Sequence, residues 1–376
     1  MKIIFFSESY KPYVSGVVKS IETFKKQLIK KGHQVYIFAP DYPEAEPEPG
    51  VFRFKSIPAF THPDFRLPLP FSPGLKNKIA DLKPDIIHTH SPFLVGWLAR
   101  YISGKLNKPL VFTYHTLYEK YSHYAPLGES LVKKLTVKFT RRFCDSCDLI
   151  IAPSQYVKNR LKKYNISPKI LTIPTGIDIS LYKKKHPGWI RKKYSLKDKD
   201  KILLFVGRLG EEKNLEFLLK TFQSLSRNID DVKLIIIGDG PHKARLIKLR
   251  NNLNLKDKVI FTGLQPYNRV IDFYLFSDVF VFPSLTETQG LVILEAMAGG
   301  LPVVAVDAAG STAMINSGKN GLVVKEDIKE FARAVKQILS DKNQYQIYSQ
   351  NARKTARKFT IENMTQKMLK GYHDIT

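Results

Sequence analysis

At 376 residues the chain is longer than one hydrophobic core usually fills, so two domains of ordinary size are expected, and 43% hydrophobic residues can supply both cores. Two cysteines exclude a disulfide scaffold and point to a reducing compartment, and no uninterrupted apolar run reaches the roughly 18 residues that a membrane-spanning helix needs. Lysine and arginine outnumber aspartate and glutamate by 60 to 34; the resulting +26 favours polyanionic partners (nucleic acid, an anionic membrane face or a phosphorylated ligand) and is spread over both halves rather than gathered in a tail.

The chain begins "MKIIFF" and turns polar at once with "SESYK", too short an apolar stretch for a signal peptide, so a cytoplasmic location is expected. "KIIFF" is followed by the helix-period segment "VVKSIETFKKQLIKKG", then by the strand-like runs "QVYIFAP", "DIIHTH", "LVFTYH" and "DLIIAPS". Between them lies an acidic, proline-spaced loop, "DYPEAEPEPG". A lysine-rich stretch with Pro and Gly, "YKKKHPGWIRKKYSLKDKDK", marks a boundary, after which strands restart at "KILLFVG" and continue through "KLIIIGDG", "KVIFTG", "VFVFPS", "LPVVAVD" and "GLVV". Helices such as "NLEFLLKTFQSL" and "IKEFARAVKQILS" separate them. Short apolar strands alternating with covering helices predict an α/β protein of two Rossmann-like, doubly wound domains facing a cleft. The expected limits are 1–180 and 181–359, with a helix at about 360–376 packing back on the first domain.

In open parallel sheets ligands bind beyond the carboxyl ends of the strands. After "KILLFV" comes "GRLGEEKN", where Arg208 and Lys213 stand close to a helix start; cations and free backbone N–H groups there suit a diphosphate, although ordinary surface cations would read the same way. The GxGxxG fingerprint is absent, which argues against a nicotinamide dehydrogenase. After "VFVFPS" comes "SLTETQGLVILEAMAGG", a polar loop turning into an apolar helix, with the backbone N–H groups of Gln289, Gly290 and Leu291 at its start. Glu287 and Glu295 would lie about 12 Å apart if both were helical, a span that fits a nucleoside diphosphate sugar better than a shared metal ion. On that reading Glu295 accepts from ribose hydroxyls and Glu287 faces the sugar.

These residues carry a resemblance. The sequence resembles glycosyltransferase family 4, retaining nucleotide-sugar transferases of two-Rossmann (GT-B) architecture, in its Glu287 and Glu295 separated by seven residues. It also does so in "YKPYVSGVVKSI", "DIIHTHSPF", "FTYHTLYEKY", "LIIAPS", "IPTGID", "FVGRLGEEKN", "IIGDGP", "FTGL" and "GLPVVAVDAAG". "TYHTLYE" and "TETQGL" are most similar to the branch that glucosylates diacylglycerol, with lipid mannosyltransferases nearby. The resemblance implies a hexose moved from UDP-glucose or GDP-mannose to a membrane lipid, with no cofactor and no metal. Gly16 would let the backbone approach the diphosphate, His115 would stabilise charge at the transferring sugar, and Arg208 and Lys213 would neutralise the leaving diphosphate. Glu287 would orient the sugar and Glu295 hold the ribose. The chain departs from the family at Ser15, where a first glycine is frequent, and at Ala313, where a glutamate is frequent.

Other features are weighed against plainer readings. Cys144 and Cys147 form a C-x-x-C without a second ligand pair or a helix N-terminus, so they read as structural. His88 and His90 lack a third ligand and read as cleft-edge residues rather than a metal pair. "ESLVKKLTVKFTRRF" sets Leu131, Leu135, Phe139 and Phe143 on one helical stripe, with Lys133, Lys134, Lys138, Arg141 and Arg142 mostly elsewhere. Such a helix either packs on the sheet or docks on an anionic membrane, which would make the protein peripheral on the inner face of the cell membrane. A transferase acting on a soluble or polysaccharide sugar, or a nucleotide-sugar epimerase of the same fold, are the alternatives. Nucleic acid is not an expected partner, because no basic-aromatic interleaving or binding module accompanies the charge.

Overall fold

The computed structural model describes residues 1–59, 65–69, 74–118, 129–183, 187–308, 310 and 312–376. Residues 119–121 of the "FTYHTLYEKY" motif therefore lie outside the described residues. Two compact units are present, Met1–Gly176 together with Ile361–Thr376, and Ile177–Thr360.

The first unit runs β1 (Lys2–Phe6), α1 (Gly16–Lys30), β2 (Gln34–Pro40), β3 (Val51–Phe54), β4 (Ser56–Pro58), β5 (Arg66–Pro68), α2 (Leu75–Asp81) and β6 (Ile86–Thr89). It continues with α3 (Leu94–Leu106), β7 (Leu110–Thr113), α4 (Glu129–Cys144), β8 (Leu149–Ala152), α5 (Gln155–Lys162) and β9 (Lys169–Thr172). The second unit runs α6 (Trp189–Lys193), β10 (Lys201–Val206), α7 (Leu215–Ser226), β11 (Val232–Ile237), α8 (Lys243–Asn252), β12 (Val259–Gly263) and α9 (Tyr267–Phe276). It ends with β13 (Val279–Phe282), α10 (Leu291–Gly299), β14 (Val303–Val306), β15 (Gly321–Val324), α11 (Ile328–Ser340) and α12 (Lys342–Ala356). The last helix, α13 (Ile361–His373), returns to the first unit.

Seven strands of the first unit form a parallel sheet in the order β3-β2-β1-β6-β7-β8-β9, and six of the second form another in the order β12-β11-β10-β13-β14-β15. Helices on both faces require strands apolar on both sides, which is why "IIFF", "IIHT", "LVFT" and "LIIA" are buried along their whole length. Side-chain caps start several helices: Ser15 accepts from Val18 N at 3.2 Å, Ser154 from Val157 N at 3.3 Å and Asp327 from Glu330 N at 2.8 Å.

A second device sets the register. The aspartate directly before a strand in "DII", "DLI" and "DVF" accepts a backbone N–H from the start of the neighbouring strand: Asp85 from Lys2, Asp148 from Leu110 and Asp278 from Ile202, each at 2.7 Å. The aspartate's own N–H returns a bond to that residue's carbonyl at 2.8 Å in all three. The clamp holds the two strands in phase, so that both end at the same level of the sheet. Each sheet also reverses its direction of strand addition, between β1 and β6 in the first unit and between β10 and β13 in the second. Replacing Asp278 with alanine leaves a half-buried N–H without its charged acceptor, and denaturant titration should show a loss of about 1–2 kcal/mol.

Candidate functional site

In the second unit the loops that follow β10, β11 and β12 are stitched together by their backbones. Gly207 N donates to Ile237 O at 3.0 Å, Leu209 N to Asp239 O at 2.9 Å and Gly238 N to Gly263 O at 3.0 Å. The fit depends on glycine. At Gly238 (φ 138°) a side chain would run into the Gly207 carbonyl, and at Gly240 (φ 158°) a Cβ would come within 2.7 Å of the Leu209 backbone. The "GRLG" and "GDGP" loops therefore lock each other in place, with Arg208 projecting from the first.

Arg208 meets Glu212 at 2.8 Å. Burial alone would raise the Glu212 carboxyl, but Arg208, a backbone N–H and Lys213 together outweigh this and leave it below its ordinary range. Lys213, at the end of a short turn after β10, pairs with Glu287 and lies 5.9 Å from the Phe282 ring centre. Both members of that pair are only 16–17% exposed. The loop carrying Glu287 is anchored to the Lys213 turn, because Leu285 N donates to Glu212 O at 3.0 Å. Arg208, Lys213 and Glu287 thus gather beyond the ends of β10 and β13, where strand order reverses, the place at which parallel sheets hold ligands.

Gly290 caps α10 in the left-handed region (φ 69°), so the chain turns there into a helix that is apolar on every side and buried from Ile293 to Gly299. Gln289 is buried and Leu291 half-buried at its start. Glu295 is the polar exception within the helix. At 4% exposure it accepts from the Tyr267 hydroxyl on Oε1 and the Tyr274 hydroxyl on Oε2, both at 3.1 Å, and Tyr182 lies 3.5 Å from Tyr267. Burial, then the Glu295 charge, push both phenols up, so they stay protonated donors. Nothing in the sequence pattern announced this tyrosine shell; the three rings come from residues 182, 267 and 274.

In the first unit Gly16 opens α1 next to its cap Ser15, and a Cβ there would meet nothing within 4 Å, so packing does not demand glycine. His115 follows β7 and is partly buried. Its Nε2 lies 2.9 Å from Nδ1 of His90 at the end of β6, and the two rings are near-parallel at 5.2 Å. His90 stacks in turn on His88 at 4.4 Å. His88 is held at both nitrogens, by Tyr372 of α13 at 2.6 Å and by Thr113 at 2.7 Å. His88 and His90 are 0% and 3% exposed, which corrects their expected place at a cleft edge: they belong to the interior beneath His115. Glu8, after β1, is a further carboxylate that sequence reasoning passed over; burial raises it above its ordinary range despite Ser91 and the N–H groups at the start of α3. Among the described residues no group of three or more His, Cys, Asp or Glu could hold a metal ion, and Cys144 and Cys147 are buried thiols.

The model of the family described as Glycosyltransferase Family 4 matches residues 14–181, and that of Glycosyl transferases group 1 matches residues 189–355. The alpha-monoglucosyldiacylglycerol synthase of Streptococcus pneumoniae is 36% identical over 315 residues, covering 81% of this chain and 71% of that protein. The chain belongs to glycosyltransferase family 4. The Acholeplasma laidlawii alpha-monoglucosyldiacylglycerol synthase is 31% identical over 86% of this chain and 84% of its own length. The transferase shares its fold with Anabaena HepE, solved with UDP and glucose, at a TM-score of 0.79 and 20% identity with full coverage of both chains. It is a glycosyltransferase of GT-B architecture.

The stacked histidines give the transferase a pH signature. Burial holds His115 at about 4; burial, then His115, hold His88 at about 3; burial, then His88 and His115, hold His90 well below its ordinary value. The unfolded chain takes up these protons below about pH 6.5 and the folded chain refuses them, so stability is complete above that pH and falls as pH drops towards 4. Each histidine adds about 1.4 kcal/mol per pH unit to the slope. Unfolding followed between pH 6.5 and 5 should be less steep for His115→Asn than for the parent, and equal slopes would show that His115 charges normally in the folded chain.

Proposed function

We propose that this chain is a retaining hexosyltransferase that moves a sugar, glucose first among candidates, from a nucleotide sugar to a membrane lipid of the diacylglycerol type. The observation that carries the reading is the Lys213–Glu287 pair beside Arg208 at the strand-order reversal of the second unit. On this reading the cations serve a diphosphate and the carboxylate beside them serves sugar hydroxyls. The two relatives, both alpha-monoglucosyldiacylglycerol synthases, and the UDP and glucose bound by HepE support the same substrate classes. On this reading the second unit binds the donor and the first the acceptor. Gly16 leaves room at the start of α1 for the diphosphate, and the N–H groups at Gln289, Gly290 and Leu291 add dipoles at the start of α10. Arg208 and Lys213 take up charge as the diphosphate leaves, Glu287 orients the sugar, and His115 acts at the reacting sugar. Glu295 accepts from the ribose hydroxyls while the tyrosines hold it in place.

The acceptor class rests on α4. Its apolar stripe is divided: Phe139 and Phe143 pack on Phe93 and Trp97, whereas Leu131 and Leu135 are 55% and 54% exposed. Lys133, Lys134, Lys138, Arg141 and Arg142 are all exposed, and three of them line a groove of about 690 Å³ with Trp97, Arg100, Asp145 and Ser146. A few cations at about 1 kcal/mol each support reversible docking on an anionic leaflet. No helix among the described residues is long and apolar enough to cross a membrane.

Glu287→Gln and His115→Ala should each lower transfer from UDP-glucose by at least about a hundredfold while the fold survives, and wild-type turnover in both would remove the assignment. Arg208→Ala and Lys213→Ala should weaken free UDP or GDP in a thermal-shift titration, which also identifies the base. Transfer should persist in EDTA, since these two side chains serve the leaving group; a strict divalent-ion requirement would place that task elsewhere. Vesicles rich in anionic lipid should bind the protein at low salt and release it at high salt, and changing the five α4 cations to glutamine should abolish binding. Equal binding by that variant would return α4 to an ordinary surface role.

A further inference from the structure

His90 is buried, ionisable and given no task by the reading above. Its surroundings limit it to few states. One face lies on His88, the Phe5 ring meets it edge-on at 4.9 Å, and its Nδ1 is 2.9 Å from His115 Nε2. Its Nε2 is buried with no hydrogen-bond partner among the described residues.

A 2.9 Å contact between two imidazole nitrogens needs one proton: with none the lone pairs face each other, and with two the N–H groups collide. The surroundings disfavour charge on either ring, so the pair is neutral and only two arrangements remain. If His115 Nε2 carried the proton, His90 would have to carry its own on Nε2, leaving an N–H in the interior with no acceptor. If His90 Nδ1 carries it, Nε2 keeps only a bare lone pair. Orphaned buried N–H groups are the rarer and costlier defect.

We propose that His90 is a positioning residue: by donating Nδ1–H to His115 Nε2 it confines the neutral His115 ring to the tautomer whose Nδ1 carries the proton. His115 then meets the substrate as an uncharged N–H donor, directed at an oxygen of the sugar or the leaving group, and not as an imidazolium. The inference rests on the reading of His115 as a residue acting at the sugar, but the tautomer can be measured without turnover. Stacking on His88, itself clamped by Tyr372 and Thr113, holds the His90 ring in orientation, which ties the site to the C-terminal helix.

Long-range proton–nitrogen correlation spectra of the intact, nitrogen-15-labelled protein at neutral pH distinguish the two tautomers. The parent should show His115 protonated at Nδ1. His90→Phe removes the donor, and His115 should move towards the Nε2–H form. His90→Asn retains an N–H near the Nδ1 position and should keep the parent tautomer. Turnover from UDP-glucose should fall about ten- to a hundredfold in His90→Phe with KM for the donor little changed, the range for groups that orient a working side chain through a hydrogen bond, and His90→Asn should restore most of it. An Nε2–H form of His115 in the parent, or an unchanged tautomer in a folded His90→Phe protein, overturns the inference. If His90→Phe does not fold, the parent spectrum decides. A tautomer that switches while His115→Ala retains full activity sustains the His90 assignment and removes the catalytic reading of His115 instead.

Discussion

A parallel sheet has to be covered on both faces, because each strand joins the next through a crossover long enough to hold a helix. Most of what is distinctive here follows from that constraint. The strands become uniformly apolar, and chemistry is left to the loops beyond their carboxyl ends. The reversal of strand order opens the crossover connections away from one another, at β1/β6 and again at β10/β13. His90 follows β6, Arg208 and Lys213 follow β10, and Glu287 follows β13. The aspartate clamps matter for the same reason: a site assembled from several strand ends is only as well placed as the register of those strands.

Two cations at the strand-order reversal of the second unit are paired within the protein itself. Arg208 holds Glu212 and Lys213 holds Glu287, so the cations suited to a diphosphate are already compensated. A partly buried ammonium without a partner would be costly, and the neighbouring carboxylate stabilises it. On the proposed reading, an incoming diphosphate would exchange one set of oxygens for another. Glu295 illustrates a different solution. It sits in an apolar helix and accepts from two neutral hydroxyls, which give it hydrogen bonds without cancelling its charge.

Much of the fold was legible because buried strands and amphipathic helices leave different periods in the sequence, and the runs from "KIIFF" to "GLVV" are found as strands. The short β3, β4, β5 and β9 were not, since runs of three or four residues carry too little periodicity. Within the site the cations and glutamates were legible as residue types at strand ends. Their pairings were not: Lys213 and Glu287 are 74 residues apart, and Tyr267 is 28 residues from Glu295. The plain reading of α4 was half right, because its apolar stripe is covered at Phe139 and Phe143 and exposed at Leu131 and Leu135.

Local pattern and motif spacing by themselves determined the fold class, the two-part organisation, the family and the strand-end positions of the candidate side chains. These depend on short-range regularities: apolar period, glycine where φ must be positive, and a polar residue directly after a strand. Only the tertiary structure decided which groups share protons and charge. It buried His88 and His90 under His115, brought Tyr372 across 284 residues to His88, and set three tyrosines around Glu295. Protonation state and hydrogen bonding depend on desolvation and on neighbours within about 3 Å, and those neighbours are chosen by how strands and helices pack rather than by their order along the chain.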